Sequence, residues 1–317
     1  MPECLPIVIS QHHGSYHLGE FADDIALSRE QVIRNADYGN ELAAPSDTGD
    51  ARGTRYLFHT HHATHARAVV DLNRNKSHPH VIAAQPNPDA YFKQFPGLQI
   101  WKPGRFPTTA VRERIMTTIY DPYRTGILND IRAAREPTIF VAFDNCAGGE
   151  LYQQDSGTPK MMPAFILSNN GEPGKSGMGP ENADRKTIID PETQVSKDIL
   201  TSCDPRYLAE LQREFAHSLK RFGWDGPDEI ELNTFIKAPH GELANLGLTF
   251  NNRNNPDYIG TSYDVGAFQL EFNTDMIVNP QTLEHDMGRI VLLRAAFGDA
   301  LRNAHANTRT VNVNVAI

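Results

Sequence analysis

Three cysteines in 317 residues, Cys4, Cys146 and Cys203, are too few and too scattered for a disulfide framework. A reduced compartment is the expectation, and a chain of this length buries a core without covalent staples. There is no run of about 18 apolar residues and no basic segment leading into an apolar N-terminal stretch. Membrane insertion and standard secretion are therefore disfavoured, and a cytoplasmic location is expected. Positive charge is scarce too: 30 Lys and Arg face 39 Asp and Glu, a formal charge of -9. That balance argues against nucleic acid as the partner, because phosphate neutralisation needs clustered Lys and Arg. A small anionic substrate needs only one or two placed arginines. No repeat, charge block or low-complexity tract marks a linker, so residues 1–317 read as a single domain. One residue is abundant. Of 13 histidines, nine fall between positions 12 and 80.

The apolar pattern alternates in type along the chain. Leu5 to Ser10 reads as a buried strand ending in the polar loop Gln11-His12-His13-Gly14-Ser15. Ser28 to Ala36 reads as a short helix opened by a capping box, Ser28-Arg29-Glu30-Gln31. Ala66 to Leu72 and Thr138 to Phe143 are the next strands, with a helical stretch over Thr108 to Glu136 interrupted near Tyr120-Asp121-Pro122-Tyr123. Glu229 to Phe235 and Gly266 to Phe272 are later strands. Asp204-Pro205 and Asn279-Pro280 each place an N-cap before a proline, starting two helices with apolar stripes. Strands alternating with helices predict a three-layer α/β/α sandwich around a mixed, mostly parallel sheet. Residues 156–200, rich in Gly, Pro, Asn and charge, read as a long functional loop.

Ligands of open α/β sheets bind beyond the carboxyl ends of the strands. His13, Asp71-Leu72-Asn73-Arg74, Asp144-Asn145-Cys146 and Gln269-Leu270-Glu271 all fall at such ends. Taken singly, His13 reads as a loop residue, Asn73-Arg74 as a solvated turn and Cys146 as a small core residue. Glu271 is different, since burying a carboxylate costs several kcal/mol unless it is paired or bound to a metal.

Together these pieces resemble a family. Gln11 to Ser15, Asn35 to Tyr38, Arg67 to Arg74, Tyr120 to Tyr123, Phe143 to Cys146 and Phe268 to Glu271 stand in the order of the N-formylglutamate amidohydrolases. Those enzymes sit within the wider group of zinc carboxypeptidase and aspartoacylase-like hydrolases. The resemblance spans roughly residues 5 to 275, with the Asp-Leu-Asn-Arg segment and the Gln-Leu-Glu strand its most specific parts. It implies a zinc site, with iron as another divalent choice, needing about three protein ligands. His13 matches the first ligand and Asp37 the second, with His17 and Glu20 as rivals because Tyr16 replaces the glutamate of a His-x-x-Glu pair. Cys146 stands where the family's third ligand is histidine, and either binds metal as thiolate or marks a lost site.

The resemblance also implies roles for the remaining groups. Arg67 would stabilise the oxyanion, Asn73 and Arg74 would grip a substrate carboxylate, and Glu271 would act as general base, then acid. The structural alternative for both arginines is an ion pair with Asp71 or Asp144. His240, in Lys237-Ala238-Pro239-His240-Gly241, aligns with a loop that closes on the substrate. The run His59, His61, His62, His65 has metal-collecting spacing but reads as a solvated loop or strand edge. The leading expectation is a metal-dependent amidohydrolase cleaving the C–N bond of a small carboxylate-bearing N-acyl amino acid or derivative. The rivals are a non-catalytic binder of an acidic metabolite and a redox metalloenzyme built on Cys146.

Overall fold

Short, continuous apolar runs make the central strands, because a strand buried on both faces has no polar side to show. In β1 (Glu3–Gln11), Ile7 and Ile9 enter the core on one face and Val8 the core on the other. In β4 (Thr138–Cys146), Val141 and Phe143 alternate with Phe140 and Ala142 in the same way. The computed structural model describes residues 3–45, 47–49, 55–86, 91–146, 148, 150–152, 159–178, 183–189, 196–234 and 249–313. The remaining sheet strands are β2 (Asp47–Gly49), β3 (Arg55–His62), β7 (Phe165–Ser168), β10 (Ile230–Leu232) and β11 (Val265–Asn273). Two separate hairpins pair β5 (Glu150–Tyr152) with β6 (Pro159–Met161), and β8 (Arg185–Ile189) with β9 (Ser196–Leu200).

The seven-stranded sheet runs β10-β7-β11-β4-β1-β3-β2. β11, β4, β1 and β3 are parallel neighbours, as are β10 and β7, while β11–β7 and β3–β2 are antiparallel. The expected mixed, mostly parallel sheet between helical layers is what forms. One layer holds α2 (Asn40–Ala43), α5 (Pro205–Arg221) and α7 (Met287–Val313), packed on Phe143, Phe165 and Phe268. The other holds α3 (Thr109–Ile115) and α4 (Asp121–Ala134), joined by a π-turn over Met116–Tyr120 where the sequence broke its helical pattern. α1 (Arg29–Asn35) carries the full capping box between Ser28 and Gln31, and α6 (Pro256–Ile259) is one turn. Among the described residues, no helix is long and apolar enough to cross a membrane.

Three local readings give way to tertiary structure. Ala66 to Leu72 is buried except at Arg67, yet irregular: Val69 N–H bonds to Ala66 O, and Asp71 N–H to Val81 O, so the segment turns back instead of joining the sheet. The parallel strand beside β1 is instead β3, the histidine-bearing stretch. At Asn279-Pro280, Asn279 Oδ1 accepts from Gln281 N (2.9 Å) and Thr282 N (3.0 Å), making a turn in place of a helix start. The helix begins at Met287, whose side chain is exposed, with Asp286 Oδ1 accepting from Arg289 N. Residues 156–200, read as loop, supply β6 to β9, with β7 inside the sheet because Phe165, Ile166 and Leu167 are fully buried.

α5 and α7 are tied by a buried carboxylate as well as by apolar packing. Asp299 accepts from Ser218 (2.7 Å) and Arg302 (2.8 Å) and pairs with Arg221, which holds it below the ordinary carboxylate range against the pull of burial. Asp299→Ala is expected to cost about 2–3 kcal/mol in urea unfolding at pH 7, since it strands two guanidinium groups. A depressed carboxylate stabilises above its ordinary value of 3.8 and loses that contribution as pH falls. The gap between Asp299→Ala and the parent chain should therefore close in acid.

Candidate active site

The parallel register brings the polar strand ends together. β1 stops at Gln11, so His12 and His13 leave the sheet beside Asp144, near the end of β4. Glu271 on β11 lies directly opposite Asp144. Asp37 follows α1 and is drawn in by its N–H bond to His13 O (3.1 Å). Behind it, Asn40 Nδ2 donates to Phe143 O (2.8 Å) and Gln11 Nε2 to Asn40 O (2.7 Å), pinning α2 to the ends of β4 and β1. The irregular buried segment after β3 delivers Arg67, Asp71, Asn73 and Arg74 from the other side. Its far end is held by Tyr120 of the π-turn, whose hydroxyl donates to Arg74 O (2.9 Å).

His13 sits among three carboxylates. Its Nδ1 lies 3.1 Å from Asp37 Oδ2 and 3.5 Å from Asp144 Oδ1, and its Nε2 lies 2.7 Å from Asp71 Oδ1. His12 Nε2 is 2.9 Å from Asp144 Oδ2, with Ser10 Oγ at 3.4 Å from its Nδ1 and Tyr123 OH 2.7 Å behind that hydroxyl. Arg67 grips Asp71 Oδ2 through Nε (3.1 Å) and Nη2 (3.0 Å), and Arg74 Nε approaches the same oxygen at 3.5 Å. The ion-pair alternative for the two arginines is thus realised on Asp71. Gln269 Nε2 donates to Glu271 Oε1 at 2.8 Å.

Burial and mutual charge separate the protonation states of these groups. Burial pushes His12 down, outweighing Asp144, so its imidazole is neutral. For His13, burial and the Arg67 charge act downward, yet Asp71 and Asp144 prevail and raise it. Asp71 and Asp144 are driven well below the carboxylate range despite burial, the first by Arg67 and His13, the second by His12 and His13. Glu271 goes the other way: burial, then the charge of Asp144, pushes it up to about 8 against Arg67, His13 and Arg74. Part of its surface stays open to solvent, as a group that exchanges a proton with water requires.

His12, His13, Asp37 and Asp144 offer four ligand atoms that all lie within 4.8 Å of one another. Two imidazoles and two carboxylates suit Zn²⁺ or Fe²⁺ better than Mg²⁺ or Ca²⁺. The packing of Asp37, Asp71 and Asp144 around His13 calls for positive charge at this point, so the residues present fit a divalent cation. Asp71 on His13 Nε2 is the outer carboxylate that orients an imidazole whose Nδ1 faces inward.

His13 and Asp37, both expected as ligands, belong to this group, and Glu271, Arg67, Asn73 and Arg74 surround it. Cys146, expected as the third ligand, does not belong. Its thiol meets Met162 Sδ at 3.0 Å and packs near Ile166. Two residues along a strand is about 6.6 Å, so Cys146 points the same way as Asp144 but one pleat too far out. His17 and Glu20, the rival second ligands, gather around His65 instead: Glu20 is 3.7 Å from His65 Nε2, and the rings of His17 and His65 are 5.7 Å apart. His240 and its loop lie outside the described residues. Sequence reasoning passed over His12 and gave Asp144 no ligand role. The available signal was an acid, Asp144, directly ending the apolar run Phe140 to Phe143, and a histidine, His12, three residues past the run Leu5 to Ile9.

Imidazoles and carboxylates thus converge at the carboxyl ends of parallel strands in an α/β sandwich, beside two guanidinium groups. Residues 5–278 match the model of the N-formylglutamate amidohydrolase family, and the chain belongs to that family, a hydrolase of the amidohydrolase kind. Among solved structures, the N-formylglutamate amidohydrolase from Ralstonia eutropha JMP134 shares the fold, with 16% identity and a TM-score of 0.52 over 98% of this chain and 97% of that one. A metallo-carboxypeptidase from Burkholderia cenocepacia aligns at 13% identity and a TM-score of 0.31 over 97% of this chain and 58% of its own. No curated protein matches by sequence.

Proposed function

We propose that this chain is a metal-dependent amidohydrolase that cleaves the C–N bond of a small N-acyl amino acid or derivative bearing a carboxylate. The observation that carries the reading is the group His12, His13, Asp37 and Asp144 lying next to Glu271. These four residues would hold Zn²⁺, or Fe²⁺ as the alternative. A divalent ion in such a site acts as a Lewis acid on a carbonyl oxygen and makes water nucleophilic near neutral pH.

The rest is work for the chain's own side chains. Arg74 and Asn73 bind the substrate carboxylate, the guanidinium fork matching its two oxygens. Arg67 spends Nε and Nη2 on Asp71 and keeps further N–H donors for the oxyanion that develops on the scissile carbonyl. Since Gln269 already occupies Glu271 Oε1, Oε2 would be the atom that takes a proton from the attacking water and returns it to the leaving nitrogen, the charge of a bound divalent ion being what ionises a carboxyl that burial and Asp144 otherwise hold neutral. Asp71 holds Arg67, Arg74 and His13 at once, so one carboxylate sets substrate grip and ligand orientation together.

Arg74→Ala is expected to raise KM about 10- to 100-fold with a smaller change in kcat, as loss of uniform substrate binding does. Initial rates over a substrate concentration series separate the two. The function itself is tested by metal analysis of the purified protein and by turnover of a panel of N-formyl and other N-acyl amino acids, acidic and neutral. Protein that takes up no divalent metal and hydrolyses none of them would sink the reading.

A further inference from the structure

The two imidazoles of the centre are held from outside by different means. His13 sets its Nε2 against Asp71, a carboxylate, whereas His12 sets its Nδ1 against Ser10 Oγ, a neutral hydroxyl, at 3.4 Å. Ser10 stands two residues before His12, on the face of β1 that carries Val8 into the core under α4. Behind it comes Tyr123 from the first turn of α4, its hydroxyl 2.7 Å from Ser10 Oγ and 3.3 Å from His61 O. Ser10 and His61 are paired residues of the parallel strands β1 and β3, so one phenol bridges both strands. The His61 ring packs edge-on to that phenol at 6.3 Å. Ser10, His12 and Tyr123 are all buried, so these polar groups answer to one another.

Proton counting shows what the chain favours. His12 Nε2, 2.9 Å from Asp144 Oδ2, can serve a cation only as a lone pair, which puts the imidazole proton on Nδ1. Ser10 can then accept from Nδ1–H and donate to Tyr123, and Tyr123 donates to His61 O, a carbonyl that only accepts. Burial pushes the Tyr123 phenol above its ordinary 10, so its one proton stays available to donate. The opposite order, with Nε2–H on Asp144, turns both hydroxyls round and leaves His61 O without this bond. We propose, resting on the reading of His12 as a metal ligand, that Ser10 and Tyr123 are positioning residues that hold it as the Nδ1–H tautomer with Nε2 open to a divalent cation. Two neutral hydroxyls orient this imidazole without adding charge, in contrast to Asp71 on His13.

Zn²⁺ affinity of the stripped full chain, measured by competition with a chelator, tests this in the parent, Ser10→Ala, Tyr123→Phe and the double variant. Asp144→Asn marks which ion belongs to the active centre. Ser10→Ala and Tyr123→Phe are each expected to weaken that ion about 10- to 100-fold. The double variant should be no weaker than Ser10→Ala alone, because both residues act through one chain. In NMR of the Zn²⁺-loaded parent, His12 Nδ1–H should exchange slowly with solvent, and both substitutions should speed that exchange. Affinities of both single variants within about twofold of the parent overturn the proposal. Weaker binding with Nδ1–H exchange unchanged overturns it as well, and leaves the two hydroxyls a packing role only. A parent chain that binds no Zn²⁺, or whose ion survives Asp144→Asn, refutes the active-centre metal and this proposal with it. Should Ser10→Ala fail to fold, Tyr123→Phe, which deletes one oxygen and keeps the ring, decides on the same readouts.

Discussion

Glutamine in place of Glu271 is expected to lower hydrolysis about 100- to 10,000-fold while leaving metal content unchanged. The amide keeps the shape and can still meet Gln269, but it cannot take a proton at the second oxygen. The same substitution carries a second, independent signature in metal-free protein. Folding raises Glu271 from its ordinary 4.5 to about 8 through burial and the Asp144 charge. Between those values the folded chain holds a proton that the unfolded chain has released, so stability falls as pH rises from 4.5 through about 8. Above that range the full penalty of a buried charge is present, a matter of a few kcal/mol. Glu271→Gln removes the titration, so the metal-free variant should exceed the parent in stability at pH 9 and match it at pH 4. Urea midpoints at the two pH values report this directly. Equal pH slopes for the two proteins would show that Glu271 is not held in its neutral form.

The Asp144→Asn substitution should cost the active centre its metal, weakening divalent binding by at least about 100-fold and taking hydrolysis to background. Asp144 serves both imidazoles, at 2.9 Å from His12 and 3.5 Å from His13, and no other carboxylate in the group reaches the pair. Cys146→Ala is the matched control. Its thiol packs against Met162 outside the group, so metal content and turnover should stay within about twofold of the parent, the range of a surface-near packing change. Metal analysis after dialysis and turnover of one N-acyl amino acid suffice for both variants. If Cys146→Ala lost the metal and Asp144→Asn kept it, the ligand would be the thiolate, and the redox reading would return with it.

Much of the scaffold was legible because its signals are local. The Ser28–Gln31 capping box, the Asp204-Pro205 start of α5 and the apolar runs of β1, β4 and β11 each depend on residues within a few positions of one another. The misread stretches depend on distant partners. Ala66 to Leu72 has the composition of a strand, but β3 occupies the place beside β1, and Asp71 N–H finds Val81 O instead. Asn279 does use its side chain as an N-terminal cap, on a turn that closes through Asn279 N–H to Glu284 O before the helix begins. Residues 165–168 form a sheet strand because β10 and β11 flank them, from about 65 and 100 residues further along the chain.

The candidate site divides along the same line. Hydrophobic patterning tells which strands are buried and where they end, and so it set His13, Asn73, Arg74 and Glu271 at strand ends, while Arg67 came from the family resemblance. It says nothing about which buried polar groups meet. Register decides that: the parallel pairing of β11 with β4 sets Glu271 against Asp144, and one pleat of β4 separates Asp144 from Cys146. The turn after β1 presents both His12 and His13 to carboxylates 24, 58 and 132 residues away. Contacts across such separations carry no periodic trace in the chain, so the residues were readable locally, and the grouping of His12, His13, Asp37 and Asp144 was decided only by tertiary packing.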